Sequence, residues 1–150
     1  MKLDIYLDAI DPRRIQLPDN RSIIEAMCSN SGVIMRANDQ TLWAIGIGEY
    51  DRNGIADPIP VQEEVIDWDP ENPPPFTLAC VERDTRLIKG HNRVGILKKN
   101  GIFSEIVLHE NEAYIQPVMD EHFFDGLPTG SNIIDCSIGW QHTLVAVEVP

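Results

Sequence analysis

The sequence predicts an all-β fold, and three observations carry that prediction. Apolar residues fall in short runs, the runs are bounded by Pro, Gly, Asn and Asp, and one residue pattern recurs along the chain. The 150 residues are 43% hydrophobic and 24% charged, as in a folded globular chain. A chain of this length buries roughly 68–70% of its unfolded surface, enough for one ordinary core.

The predicted strands, in order, are Leu3–Leu7, Ser22–Met27, Gly32–Met35, Thr41–Gly46 and Phe76–Val81 in the first part of the chain. Arg93–Leu97, Ile102–Leu108, Ala113–Val118, Asn132–Ile138 and His142–Val147 follow. Each is rich in Ile, Val or Leu, whose branched side chains suit a pleated surface. Asp11-Pro12 ends the first run, and Asn53-Gly54, Asp57-Pro58, Asp69-Pro70, Asn100-Gly101 and Leu127-Pro-Thr-Gly130 separate the later ones. Proline fixes φ, glycine accepts positive φ, and Asn or Asp side chains bond the local backbone, so these are turns. One segment competes as a helix. Asp19-Asn20-Arg21-Ser22 has the residues of an N-cap ahead of Ile23, with Glu25 in the first turn. The stretch from Asp67 to Pro75 holds four prolines in nine residues and is expected to be a rigid loop.

The recurring pattern is specific enough to align. Residues 23–37, IIEAMCSNSGVIMRA, lie without a gap on residues 133–147, IIDCSIGWQHTLVAV. A third copy, RVGILKKNGIF from Arg93 to Phe103, matches GVIMRANDQTL from Gly32 to Leu42: a strand, a polar hairpin tip and a second strand. The intervals between Gly32, Arg93 and His142 suit a four-stranded propeller blade, on the order of 40–50 residues in common families. These words resemble the regulator-of-chromosome-condensation repeat family. NIIDCSIGWQHTLVAVE (132–148) carries the likeness best, through Gly139, Trp140, His142, Thr143 and Leu144. GVIMRANDQTLWAIG (32–46) follows, with Asp39-Gln40 at the turn, Trp43 at the aromatic position and Gly46 after it; PIPVQEEV (58–65) resembles the exit of a blade. Three departures stand out: the turn glycine is absent at Gln40, and Gly32 and Arg93 stand where the family has His.

The resemblance implies antiparallel blades of a partial or incomplete β-propeller; a small β-sandwich or barrel is the alternative. Repeat-like units are expected at about 20–66, 76–120 and 130–150 of a single β domain spanning 1–150, with the Pro-rich loop at 67–75 between the first two. Propellers of this family are built from about seven blades, and the chain carries parts of about three. An open arc leaves sheet faces and edges uncovered, so the chain is expected to need a protein partner or self-association to complete the propeller. The family also implies roles in GTPase nucleotide exchange, chromatin docking or ubiquitin-ligase substrate recognition. No residue that would choose among them is recognisable.

Charge and chemistry narrow the function. With 24 acidic and 12 basic side chains the net charge is −12, so direct nucleic-acid binding and docking on an anionic membrane are not expected. Lys2 is followed by Asp4 and Asp8, which leaves no apolar signal core there. Cys28, Cys80 and Cys136 form no C-x-x-C pair, lie in apolar stretches as small buried side chains, and point to a reducing, intracellular and by default cytoplasmic setting. Gly46-Ile47-Gly48 lacks the third glycine of a phosphate loop, no serine sits in a G-x-S-x-G elbow, and no cofactor is implied. His109, Glu112 and His122 have the ligand types of a zinc or non-haem iron site but match no helix-borne motif. A solvated acidic turn is the simpler account of them. His91 lies in the only locally basic stretch, Arg83 to Lys99. Trp68, Arg93 and Trp140 are the candidates for partner contact, because Trp and Arg dominate binding hot spots. The leading function is a non-catalytic protein-interaction module in a larger assembly. The alternatives are an acidic inhibitor or decoy of a nucleic-acid-binding protein, and a small metal-dependent enzyme.

Overall fold

A computed structural model describes residues 3–4, 6–7, 13–46, 57–63, 69–72, 77–99, 102–109, 112–117 and 126–150. Two short strands, β1 (Tyr6–Leu7) and β2 (Arg13–Arg14), pair antiparallel and lead to a 3-10 turn at Pro18–Asn20. A first meander follows: β3 (Ile23–Ser29), β4 (Gly32–Ala37), β5 (Leu42–Gly46) and β6 (Ile59–Gln62). The second meander is β7 (Arg86–Lys89), β8 (Val94–Leu97), β9 (Phe103–His109) and β10 (Glu112–Pro117), and a hairpin of β11 (Asn132–Ile138) and β12 (Thr143–Glu148) ends the described chain. The fold is all-β.

The segment that competes as a helix is β3. Asp19 and Asn20 adopt left-handed backbone (φ 56° and 55°) and Arg21 is extended, so the chain leaves the turn along a strand. Of the run expected at Phe76–Val81, Phe76 lies outside the described residues and Thr77–Val81 form isolated bridges rather than a strand: Cys80 pairs with Thr41 and Leu78 with Gln62. Ala79 donates its amide to Val61 O at 2.8 Å and accepts from Leu42 N at 3.1 Å, which ties this segment to β5 and β6. Two strands, β6 and β7, lie outside the predicted runs. Both are short and mixed in polarity, and each is ordered by its neighbours.

The three copies share one register. In the first, Glu25, Ala26, Met27, Cys28 and Ser29 face Arg36, Met35, Ile34, Val33 and Gly32. Residue for residue, Arg86 to Lys89 face Leu97 to Val94, and Asp135 to Ile138 face Ala146 to Thr143. The bulge repeats as well, falling between Ile23 and Glu25 in β3 and between Ile133 and Asp135 in β11. A shared bulge is a stronger sign of equivalence than shared strands, because it fixes which residues turn inward afterwards. The second hairpins agree too: Ile34 faces Ala44 as Gly95 faces Glu105, and Arg36 faces Leu42 as Leu97 faces Phe103.

These units stack face to face in chain order. Ile15, Leu17 and Leu3 from the N-terminal segment cover one face of the first meander through Val33, Met35, Trp43 and Ile45. Its other face, with Ile34, Leu42, Ala44 and Val61, packs against Leu87, Val94, Ile96, Ile106 and Ala113 of the second meander. The far face of the second meander meets the hairpin, where Leu97 and Phe103 pack with Ile133, Cys136 and Ile138. Gly90 and Gly95 make this last contact close. A Cβ on Gly95 would lie 2.8 Å from Ile138 Cδ1, and one on Gly90 2.7 Å from Ile138 Cγ2. Side chains alternate faces along a strand, so each repeat unit presents one row to its predecessor and one to its successor.

One joint goes beyond a simple stack of separate blades. β6 and β10, the last strands of the two meanders, pair in parallel through Ala113–Val61 and Tyr114–Gln62, making one mixed sheet of eight strands. The end strands approach each other as well, where Asn30 N donates to His91 O at 2.8 Å. The two meanders are thereby both stacked and zipped, while β11 and β12 form a separate two-stranded sheet.

Candidate protein-interaction surface

The shared register brings the three hairpin tips to one end of the stack: Asn30-Ser31, His91-Asn92 and Trp140-Gln141. They touch in sequence. Asn30 Nδ2 lies 2.9 Å from His91 Nε2, Ser31 Oγ donates to Asn92 O, and the His91 ring stacks on Trp140 at 4.6 Å between centroids and 19° between planes. Trp140 remains 65% exposed, so this stack leaves much of the indole available to a partner. Arg93, next to the second tip, pairs its Nη1 with Glu105 Oε1 at 2.8 Å and is half-buried. It is therefore committed within its own meander. Trp68 and His122 lie outside the described residues. His109 and Glu112 are a register pair across β9 and β10, and Glu112 is exposed.

Three of the six bases in the stretch Arg83 to Lys99 are paired within the chain. Arg86 meets Asp135 at 3.2 Å and Lys99 meets Asp84 at 3.6 Å, in addition to the Arg93–Glu105 pair. Arg86 Nη2 also donates to Ile134 O at 2.7 Å. Its counterpart between the first two units is the buried Arg36, which donates to Arg83 O at 3.3 Å and to Thr85 O, and pairs with Glu25 at 3.2 Å. Thr85 and Ile134 occupy equivalent positions of their repeats. At both joints, an arginine of the earlier unit therefore binds the same backbone carbonyl of the later one.

At the opposite end, the turn at Gln40 shows how a position suited to glycine is filled. Gln40 has φ 68°, and Asp39 Oδ1 accepts from Thr41 N at 3.2 Å and from Thr41 Oγ1 at 2.5 Å. Thr41 Oγ1 in turn accepts from Trp43 Nε1 at 2.9 Å, and the Arg21 guanidinium lies 5.2 Å from the Trp43 ring centroid. Burial works against the charge on Asp39, but hydrogen bonds from Thr41 and Arg21 outweigh it and hold the carboxyl below its ordinary range.

The outer face of β11–β12 is what sequence reasoning missed. Ile133, Cys136 and Ile138 turn inward, whereas Ile134 is 52% and Leu144 66% exposed. Leu144 occupies the position of Ile34, which is 1% exposed because the second meander covers it. The signal was present in the alignment of 23–37 on 133–147, which sets Leu144 on Ile34 once the inward row is known. Of the three cysteines, expected to be buried, only Cys136 is; Cys28 and Cys80 are exposed. Burial, reinforced by Asp135 and opposed by Arg86, pushes the Cys136 thiol up to about 11.

No protein-family pattern and no curated protein matches the chain. Among solved structures it is similar to Prp20p from Saccharomyces cerevisiae, a β-propeller of the repeat family that the sequence words resemble. That structure was described together with its binding properties to Gsp1p and histones. The identity is 18% and the TM-score 0.47, over 92% of this chain. The chain spans a third of the length of that structure, 33%.

Proposed function

We propose that the chain is a non-catalytic protein-interaction module, a propeller-type subunit or fragment acting within a larger assembly. One observation carries this reading: Leu144 is 66% exposed at a position that is 1% exposed in the first repeat. Exposed apolar side chains gathered on one sheet face mark an interaction surface, whereas scattered ones do not. Leu144, with Ala146 next to it on the outward row of β12, supplies the apolar centre, and Trp140 at the hairpin tip supplies an exposed aromatic anchor. The exposed thiols of Cys28 and Cys80 favour placing the chain in a reducing compartment, the cytoplasm by default.

The test is a photo-cross-linkable residue in place of Leu144 or Trp140, with the exposed Glu71 as control position. The expected result is one discrete protein adduct at 144 and 140 and none at 71. Adducts no stronger than the control, together with β11–β12 amides as slow to exchange as those of β4 and β8, would end this reading. The charge of −12 favours a second reading, an acidic decoy for a basic site. A complex that survives about 1 M salt would remove it, since screening then acts within about 3 Å.

A further inference from the structure

We propose that the cleft between the second meander and the hairpin is a phosphate-binding site, in which Arg86, Lys98 and Lys99 hold the oxyanion of free phosphate or of a phosphorylated side chain. The site is separate from the outward row of β12 and stands without the interaction-module reading.

The cleft has its cause in the repeat. Leu97 faces Arg86 as Arg36 faces Glu25, so Leu97 stands at the position of Arg36. At the first joint Arg36 is buried and extends its guanidinium onto Arg83 O and Thr85 O, filling the space between the two units. Leucine is shorter and carries no donor. At the second joint there is instead a cleft of about 290 Å³, lined by Asp84, Arg86, Lys98 and Lys99 beside Leu97 and Ile133. That volume is at the small end of ligand pockets, roughly 300–1,000 Å³, and suits one charged group rather than an extended molecule. Leu97 and Ile133 are buried, so water is excluded from one side and charges act more strongly there.

Charge chooses the ligand. Three cations line one cleft, on a chain with 12 basic and 24 acidic side chains. At the first joint Glu25 answers the cation across its own hairpin, at 3.2 Å. Leu97 offers Arg86 no such partner, and Arg86 Nη2 turns to Ile134 O and to the exposed Asp135 of the next unit. Its Nε and Nη1 have no hydrogen-bond partner among the described residues. Lys99 meets Asp84 only at 3.6 Å, and Lys98 has no ion pair among the described residues. Exposed pairs of this kind are weak, because water competes for both charges, so a doubly charged oxyanion displaces them. The donors come from two places, Arg86 on β7 and the two lysines directly after β8. A tetrahedral phosphate accepts from several sides at once and fits that spread, with the arginine fork on two of its oxygens.

The experiment titrates the full chain, isotope-labelled, with inorganic phosphate, with a neutral tripeptide carrying phosphoserine, and with chloride. Ionic strength is held at about 0.15 M, where charges more than about 8 Å away are screened and the net charge of −12 matters little. The expected result is a saturable shift of the Lys98, Lys99 and Asn132 amides by at least one phosphate probe, with Kd below about 1 mM, and none by chloride. The tighter of the two probes names the source of the group. Lys98→Ala combined with Lys99→Ala should weaken binding about tenfold and leave the amides of β4 in place. Asp84→Asn removes the competing carboxylate and should tighten binding about threefold, a gain that a loosened fold does not produce. Shifts that fail to saturate, equal shifts with chloride, or an affinity that none of these substitutions moves would overturn the proposal.

Discussion

The first two meanders and the final hairpin are built from the same repeat, yet one joint is sealed and the other end is open. Ile34 and Leu144 stand at the same position of that repeat, one covered by a neighbouring sheet and the other facing water. The residues that fill them are both large and apolar, so local chemistry does not set the difference. What separates them is whether another unit follows in space. Burial in such a stack is a property of neighbours, and an identical word gains or loses its hydrophobic stabilisation according to what lies beside it.

The sharpest way to test this contrast is truncation at the two equivalent sites. Ile34→Ala is expected to lower stability by about 2–5 kcal/mol in denaturant unfolding, because it leaves a cavity between the two packed meanders. Leu144→Ala should change it by less than about 0.5 kcal/mol, since an exposed side chain has little to lose. Equal effects would mean that the third unit is covered in solution. Arg36→Met tests the sealed joint by its polar contacts. It leaves Thr85 O and Glu25 without their donor and should cost about 2 kcal/mol, read from the same unfolding curves. Gly95→Val tests the joint to the hairpin. A branched side chain there meets Ile138 and Phe103, so a loss of about 1–3 kcal/mol is expected, with faster amide exchange in β11 and β12 and little change in β4.

The smallest effect is on the inward row of the hairpin. The Cys136 thiol titrates higher in the fold, at about 11 against an ordinary 9.0, so folding favours its protonated form. That contribution is full below about pH 9 and is lost as pH rises through about 11. Cys136→Ser should flatten the decline in stability across this window by under about 1 kcal/mol, because only a thin hairpin shields the thiol. At neutral pH, a thiol reagent should label Cys28 and Cys80 and leave Cys136 unmodified until the chain unfolds.

Much of this arrangement was legible in the sequence, because a repeat writes its geometry more than once. The alignment of 23–37 on 133–147 predicts the paired hairpins, and the match of 93–103 to 32–42 predicts the turn between second and third strands. The common register and the repeated bulge emerge only from the strand pairing. The parallel pairing of β6 and β10 was not legible either. It rests on two residue pairs between β10, whose run is predicted, and β6, which is short and mixed in polarity, and only the docked meanders bring Ala113 and Val61 together. The arginine contacts were hidden for a similar reason. Arg36 and Arg86 fall at different positions of the repeat, and their common target is a backbone carbonyl, which carries no letter. Trp140 was singled out as an anchor for its residue type, whereas its stacking on His91 depends on two hairpin tips reaching the same height.

The parallel pairing also has a mechanical meaning. Backbone hydrogen bonds between β6 and β10 tie the two meanders along an edge, but the hairpin holds to the second meander through side chains and the Arg86 bridge. A load drawn through the end of β12 would therefore strip the hairpin away as a unit and leave the zipped pair standing. The joint that gives first under tension is the one nearest the surface assigned to a partner.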